Sequence, residues 1–287
     1  MRDPVKRIEP LVLVGSLLVL VALVALRATA SGKRLAAATT HWLGEADRPD
    51  GGLIWPASGL VTRAYLPFVA LTLVALAVAL TRHSLRRRAL AGAFVLVVSG
   101  VGAQVLGRLL VPVLGQESAT LPSGHAALVL GACVAWIWIA PARHRLAVLC
   151  AAGVVATAGS LGIVVAQWHR PGDVLASLAL VTAVTAVARP FARTGAIAPA
   201  VSEAEGNRAH TFRGGFGYSP STDALVAVLC GAAGCVVLYQ GWGSALVGEN
   251  VAALVGGLAV RWGLALAAGL LVWFAARVDE SPVSRLH

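Results

Sequence analysis

Charge is scarce in this chain. Only 13% of its 287 residues are charged, 58% are hydrophobic, and the mean hydropathy is +0.80. Soluble domains carry about a quarter charged residues, so a soluble globular domain is excluded. Lysine is nearly absent, with Lys6 and Lys33 standing against 21 arginines. With the abundance of Ala, Val, Leu and Gly, this reads as the codon usage of a GC-rich bacterium. The four cysteines, Cys133, Cys150, Cys230 and Cys235, all fall inside apolar runs, so they act as small hydrophobes and not as a disulfide framework. His41, His83, His144, His210 and His287 show no metal-ligand spacing. The net charge of +10 comes from basic residues scattered through short loops without aromatic interleaving, which argues against nucleic acid as a partner.

What the chain does have is long apolar stretches. They lie near 10–26, 64–81, 89–107, 118–142, 146–168, 174–188, 224–248 and 262–276, each long enough or nearly so to cross the ~30 Å hydrocarbon layer. The expected fold is an all-α integral membrane protein of about eight transmembrane helices. Arg27, Arg189 and Arg261 are placed to snorkel from the shorter ones. Alternate loops carry 15 and 8 basic residues, and the positive-inside rule then puts both termini in the cytoplasm of a multi-pass plasma-membrane protein. The charge run Arg82-His83-Ser84-Leu85-Arg86-Arg87-Arg88 reads as a cytoplasmic stop signal. Ala28-Thr29-Ala30 leaves a cleaved signal as an alternative to a retained first helix, although Leu11 to Leu26 exceeds the usual apolar core of a signal. Residues 32–63 read as an external loop, with Trp42, Trp55 and Tyr65 as interfacial anchors.

Three regions are expected along the chain. Residues 1–190 make a six-helix membrane core, 191–222 a cytoplasmic linker rich in Pro and Gly, and 223–287 a C-terminal two-helix membrane segment and tail. In the last, Gly231, Gly234, Gly256 and Gly257 suit close helix packing, against the core or against a second copy in a homodimer.

Two polar clusters interrupt the apolar pattern: Leu121-Pro122-Ser123-Gly124-His125 and Trp168-His169-Arg170-Pro171-Gly172-Asp173. The 44 residues between the two histidines make two crossings and a short turn, which returns His169 to the level of His125 on the external side. The first cluster opens a helix, whose free N–H groups attract an oxyanion. In the second, Asp173 follows His169 by four residues, so its carboxylate can hold one ring nitrogen and leave the other as base or nucleophile. Ser123 reads equally as a helix cap and Asp173 as a helix start.

Together, Pro122-Ser123-Gly124-His125 and His169-x3-Asp173 resemble the second and third signatures of the type 2 phosphatidic acid phosphatase superfamily, membrane lipid phosphatases with a six-helix core. The resemblance covers about residues 60 to 190. It implies a membrane lipid phosphate phosphatase without metal or other cofactor, acting at the outer leaflet on an isoprenoid or glycerolipid phosphate. In that scheme His169 attacks phosphorus to form a phosphohistidine, Asp173 orients it, and His125 protonates the leaving alkoxide. Ser123 and the Gly124 amide would bind phosphate oxygens. The chain departs from the family in its cations. The first signature, Lys-x6-Arg-Pro, falls on Gln104, Val111 and Pro112, and the Ser-Arg pair ahead of the second histidine falls on Gly162 and Ile163. Arg108, one turn beyond Gln104, and Arg170 are the local substitutes, and each also reads as an interfacial or loop residue. The alternative function is a catalytically impaired member of the same fold that binds a lipid headgroup or a membrane partner.

Overall fold

The computed structural model describes residues 5–45, 54–114, 121–166, 168–193 and 251–276. They form eight α-helices and one 3-10 turn, with no strand among the described residues: α1 (Val5–Ala28), α2 (Ala30–Glu45), α3 (Ile54–Thr81), α4 (Arg86–Leu114), α5 (Gly124–Ile139), α6 (Arg145–Val165), α7 (Pro171–Arg193) and α8 (Val251–Ala276). Five are long and apolar enough to cross a bilayer, over Glu9–Ala28, Arg63–Thr81, Arg86–Leu114, Arg145–Val164 and Pro171–Arg193; Gly124–Ile139 and Arg261–Ala276 are shorter apolar helices. The chain is thus an all-α protein with the helices of a multi-pass membrane protein. The expected linker at 191–222 begins later than expected, since α7 runs on through Arg193; its remainder and the expected span at 224–248 lie outside the described residues.

The eight helices are not the eight expected from the apolar runs. Residues 32–63 do not form one long loop: Ala30–Glu45 is helical and α3 already begins at Ile54. The stretch carries Lys33, Arg34 and Glu45 and lacks a long apolar run, which made it read as loop. Residues 30–45 are nevertheless rich in alanine and free of proline, and that composition favours helix. Thr29 starts α2, its Oγ1 accepting from the Gly32 N–H at 2.9 Å while donating to the Leu26 carbonyl at 2.7 Å. The joint between α1 and α2 is so tight that a Cβ at Gly32 would lie 1.8 Å from the Leu26 carbonyl oxygen, so only glycine fits.

The centre of the molecule is α5. Thirteen of its sixteen residues are buried, and it packs most extensively on α4, then on α6, α7, α3 and α8. Small residues permit this. A Cβ at Gly131 would come within 3.1 Å of the Leu96 Cα, and one at Gly92 within 3.1 Å of the Ala135 Cα, so α4 and α5 approach nearly backbone to backbone. Indole donors fix the register: Trp136 Nε1 donates to Thr72 Oγ1 of α3 at 2.9 Å, and Trp138 Nε1 to the Ala275 carbonyl of α8 at 3.0 Å. The last helix, placed beyond the six-helix core by the sequence, therefore shares one hydrophobic cluster with α5, α6 and α7. It starts earlier than expected, so Arg261 stands ten residues into the helix and not at its end.

Nor do the other two snorkelling arginines reach outward. Arg189 is 2% exposed, faces Glu9 at 3.8 Å, and lies 4.7 Å from the centre of the Phe274 ring. Glu9 also binds Arg193, which pins the start of α1 to the end of α7. Arg27 is 7% exposed.

Candidate active site

Local chemistry builds both polar turns. Ser123 is the N-cap of α5: extended at φ −69° and ψ 117°, it accepts from the Ala126 N–H on its Oγ at 3.3 Å. α7 opens with Pro171, whose missing N–H costs nothing at a first helical position. Asp173, two residues on, reaches back so that its Oδ2 accepts from the Arg170 N–H at 3.1 Å, half of a capping box. The two helix starts are then bolted together. The Ser123 N–H donates to the Asp173 carbonyl at 3.1 Å, and Ser177 Oγ donates to the Ser123 and Asp173 carbonyls at 2.8 and 2.9 Å.

That clamp brings the expected histidines together. His125 Nδ1 lies 3.3 Å from His169 Nε2, and His169 Nδ1 lies 3.8 Å from Asp173 Oδ2. The latter is too long for a hydrogen bond, and His169 Nδ1 has no hydrogen-bond partner among the described residues. One assignment of protons suits all four atoms: His169 carries its proton on Nδ1, toward the carboxylate, and accepts at Nε2 from His125 Nδ1–H. The second imidazole nitrogen of the pair then holds a lone pair next to a proton donor. Asp173 is 1% exposed and the His169 side chain 10%, so the ensemble is largely withdrawn from water.

Around the histidines is an aromatic wall. The Tyr65 ring stands edge-on to His125 with centroids 5.0 Å apart, and Trp168 lies 5.3 Å from His125 and 6.4 Å from Tyr65. Sequence reading placed Tyr65 at the membrane interface because a lone tyrosine near an apolar run carries no sign of its partner.

The remaining expected residues separate. Ser123 is fully buried, with its hydroxyl engaged as the cap. Gly124 has the Gln104 amide against it: a Cβ at 124 would lie 2.4 Å from Gln104 Nε2. The N–H groups of Gly124 and His125 donate to no described residue, as expected of a helix start open to an anion. Arg170 is half-buried between His169 and Pro171. Arg108 is exposed and makes no hydrogen bond or ion pair with a described residue. Ile163, where the resemblance leads one to expect an arginine, is 3% exposed within the main hydrophobic cluster; Val111 lies two turns beyond Gln104 on α4. Gln104 thus touches the first histidine turn, while the Ile163 carbonyl accepts from the Trp168 N–H of the second at 3.2 Å.

The structure adds Arg27. It lines a cavity of 360 Å³ together with Leu121, Pro171, Gly172 and Asp173, between α1, α2 and the back of the histidine turns. Its signal in the sequence was an arginine ending an apolar run, which is also the signature of a snorkelling residue.

Among the described residues no group of three or more His, Cys, Asp or Glu side chains could hold a metal ion. The chain matches no protein-family model, no curated protein and no solved structure in searches of each.

Proposed function

We propose that the chain is a membrane lipid phosphate phosphatase of the type 2 phosphatidic acid phosphatase kind, working through a phosphohistidine. The observation that carries this reading is the His125–His169–Asp173 alignment, built from two helix starts 44 residues apart. The resemblance of the two histidine signatures supports it.

In the reaction His169 Nε2 attacks phosphorus with its lone pair. The phosphorus–alkoxide bond breaks, and His125, entering this step as the imidazolium with a proton on each ring nitrogen, gives the departing oxygen one of them and is left neutral. Asp173 holds the His169 Nδ1–H and offsets the positive charge that grows on the ring; closing the 3.8 Å gap completes that hydrogen bond. Water then attacks the phosphohistidine, passes a proton to His125, and phosphate leaves with His169 restored. Charge on the three equatorial oxygens must be met throughout. The donors at hand are the N–H groups of Gly124 and His125 at the start of α5, with Arg170 beside the nucleophile. The substrate class is an isoprenoid or glycerolipid phosphate at the outer leaflet. The split of basic residues supports a plasma-membrane protein with both termini cytoplasmic and the histidines external.

A second reading has its own observation. A neutral Gln104 amide, not an ammonium, lies against Gly124, and the Ser123 hydroxyl is committed to capping. Both favour a fold that binds a lipid headgroup without turning it over. Phosphate release from a panel of lipid phosphates by purified protein with EDTA present decides between them. The enzyme predicts release that His169→Ala abolishes; no release by folded protein leaves the binding role.

A further inference from the structure

At the end of the bundle opposite the histidines, α4 and α7 part to leave a groove of 390 Å³ lined by Arg87, Leu90, Ala91, Phe94, Ala188 and Phe191. It is within the size range of small-molecule sites. Arg87 is 17 residues from Gln104 along α4, so the groove lies about 25 Å from the histidine turns and belongs to neither half of the proposed reaction.

Its chemistry is two-sided. Leu90, Phe94 and Phe191 are 53%, 45% and 68% exposed, on helices apolar enough to cross a bilayer, so hydrocarbon is the medium these walls suit. Arg87 stands at the groove's end among Arg82, Arg86 and Arg88, in a stretch with no acidic residue between Asp50 and Glu117. A positive rim above an apolar trough fits a ligand with an anionic head and a hydrocarbon tail, as basic pockets between membrane helices do. A soluble anion would leave the phenylalanines without purpose, and a zwitterionic lipid would not use the local charge.

We infer that the α4–α7 groove is a binding site for an anionic phospholipid, its phosphate on Arg87 and one chain laid along Leu90, Phe94 and Phe191. This site stands or falls apart from the phosphatase reading.

The test is native mass spectrometry of the full chain in detergent, titrated with phosphatidylglycerol and, separately, with phosphatidylcholine of the same chains. Phosphatidylglycerol should bind the wild type about tenfold more tightly. Arg87→Gln should erase that preference. Arg86→Gln, an exposed change of the same charge outside the groove, should keep it, and Phe191→Ala should weaken both lipids alike. Equal binding of the two lipids by the wild type would overturn the site, as would equal effects of Arg86→Gln and Arg87→Gln. Competition by glycerol phosphate as strong as by the intact lipid would remove the chain from the proposal. A dimer lost in Phe191→Ala would assign the groove to a second copy instead.

Discussion

In the proposed phosphatase reaction the two histidines have separable tasks, and leaving-group chemistry distinguishes them. An alkoxide needs a proton as it departs, whereas an aryl oxide hardly does. His125→Ala should therefore slow hydrolysis of alkyl phosphates by about 10²-fold or more while costing aryl phosphates much less; equal losses would remove His125 from the role of acid. The cations can be ranked in the same way. Arg170→Gln should lower kcat/KM by about 10²-fold, the scale of one strong oxyanion donor, and Arg108→Gln should cost less, because that exposed side chain makes no hydrogen bond or ion pair with a described residue. A Gln104→Lys variant would put an ammonium against Gly124 and should tighten inhibition by inorganic phosphate. Most of this arrangement could be read beforehand. The spacing of His125 and His169 allowed their meeting, and Gln104 was visible as the neutral replacement of a family lysine. Arg27 and Tyr65 were not legible, because their partners are distant in sequence and nothing local marks a side chain that turns inward.

The helices show where periodicity and polarity mislead. Apolar runs located α1 and α3 to α7, since a residue facing lipid and one facing a helix are both apolar. The same fact hid which faces pack, so the central place of α5 was invisible until its buried faces and close glycines were seen. Polarity hid α2 altogether. The tie between α1 and α7 was hidden too, since Glu9 and Arg189 lie 180 residues apart. That tie makes a prediction: Glu9→Gln leaves Arg189 and Arg193 facing each other without the carboxylate between them. A loss near the ~3 kcal/mol lower bound for breaking a buried pair is expected, read as a lower thermal unfolding temperature in detergent. Gly32→Ala should also lower it, because the added methyl cannot fit beside the Leu26 carbonyl. An unchanged melting temperature in Glu9→Gln would mean that α1 is held by apolar packing alone.

For the whole molecule, the strongest sequence statement is its orientation. A single cysteine at 86 in a cysteine-free background should resist an impermeant reagent in intact cells, and one at 168 should react; the opposite pattern would invert the protein. Depth within the bilayer follows from the helices. Since α5 has only 16 residues, it spans about 24 Å, less than the ~30 Å layer. Meanwhile α4 continues ten residues past Gln104 and α3 begins eleven residues before Tyr65, each rising roughly 15 Å above the histidines. In the proposed function, a catalyst sunk to that level meets its substrate by sideways travel in a two-dimensional fluid and not by collision from solution. Its turnover should therefore track the mole fraction of lipid phosphate in a mixed micelle, falling when inert detergent is added at constant bulk substrate, while a short-chain soluble phosphate should show no such dilution.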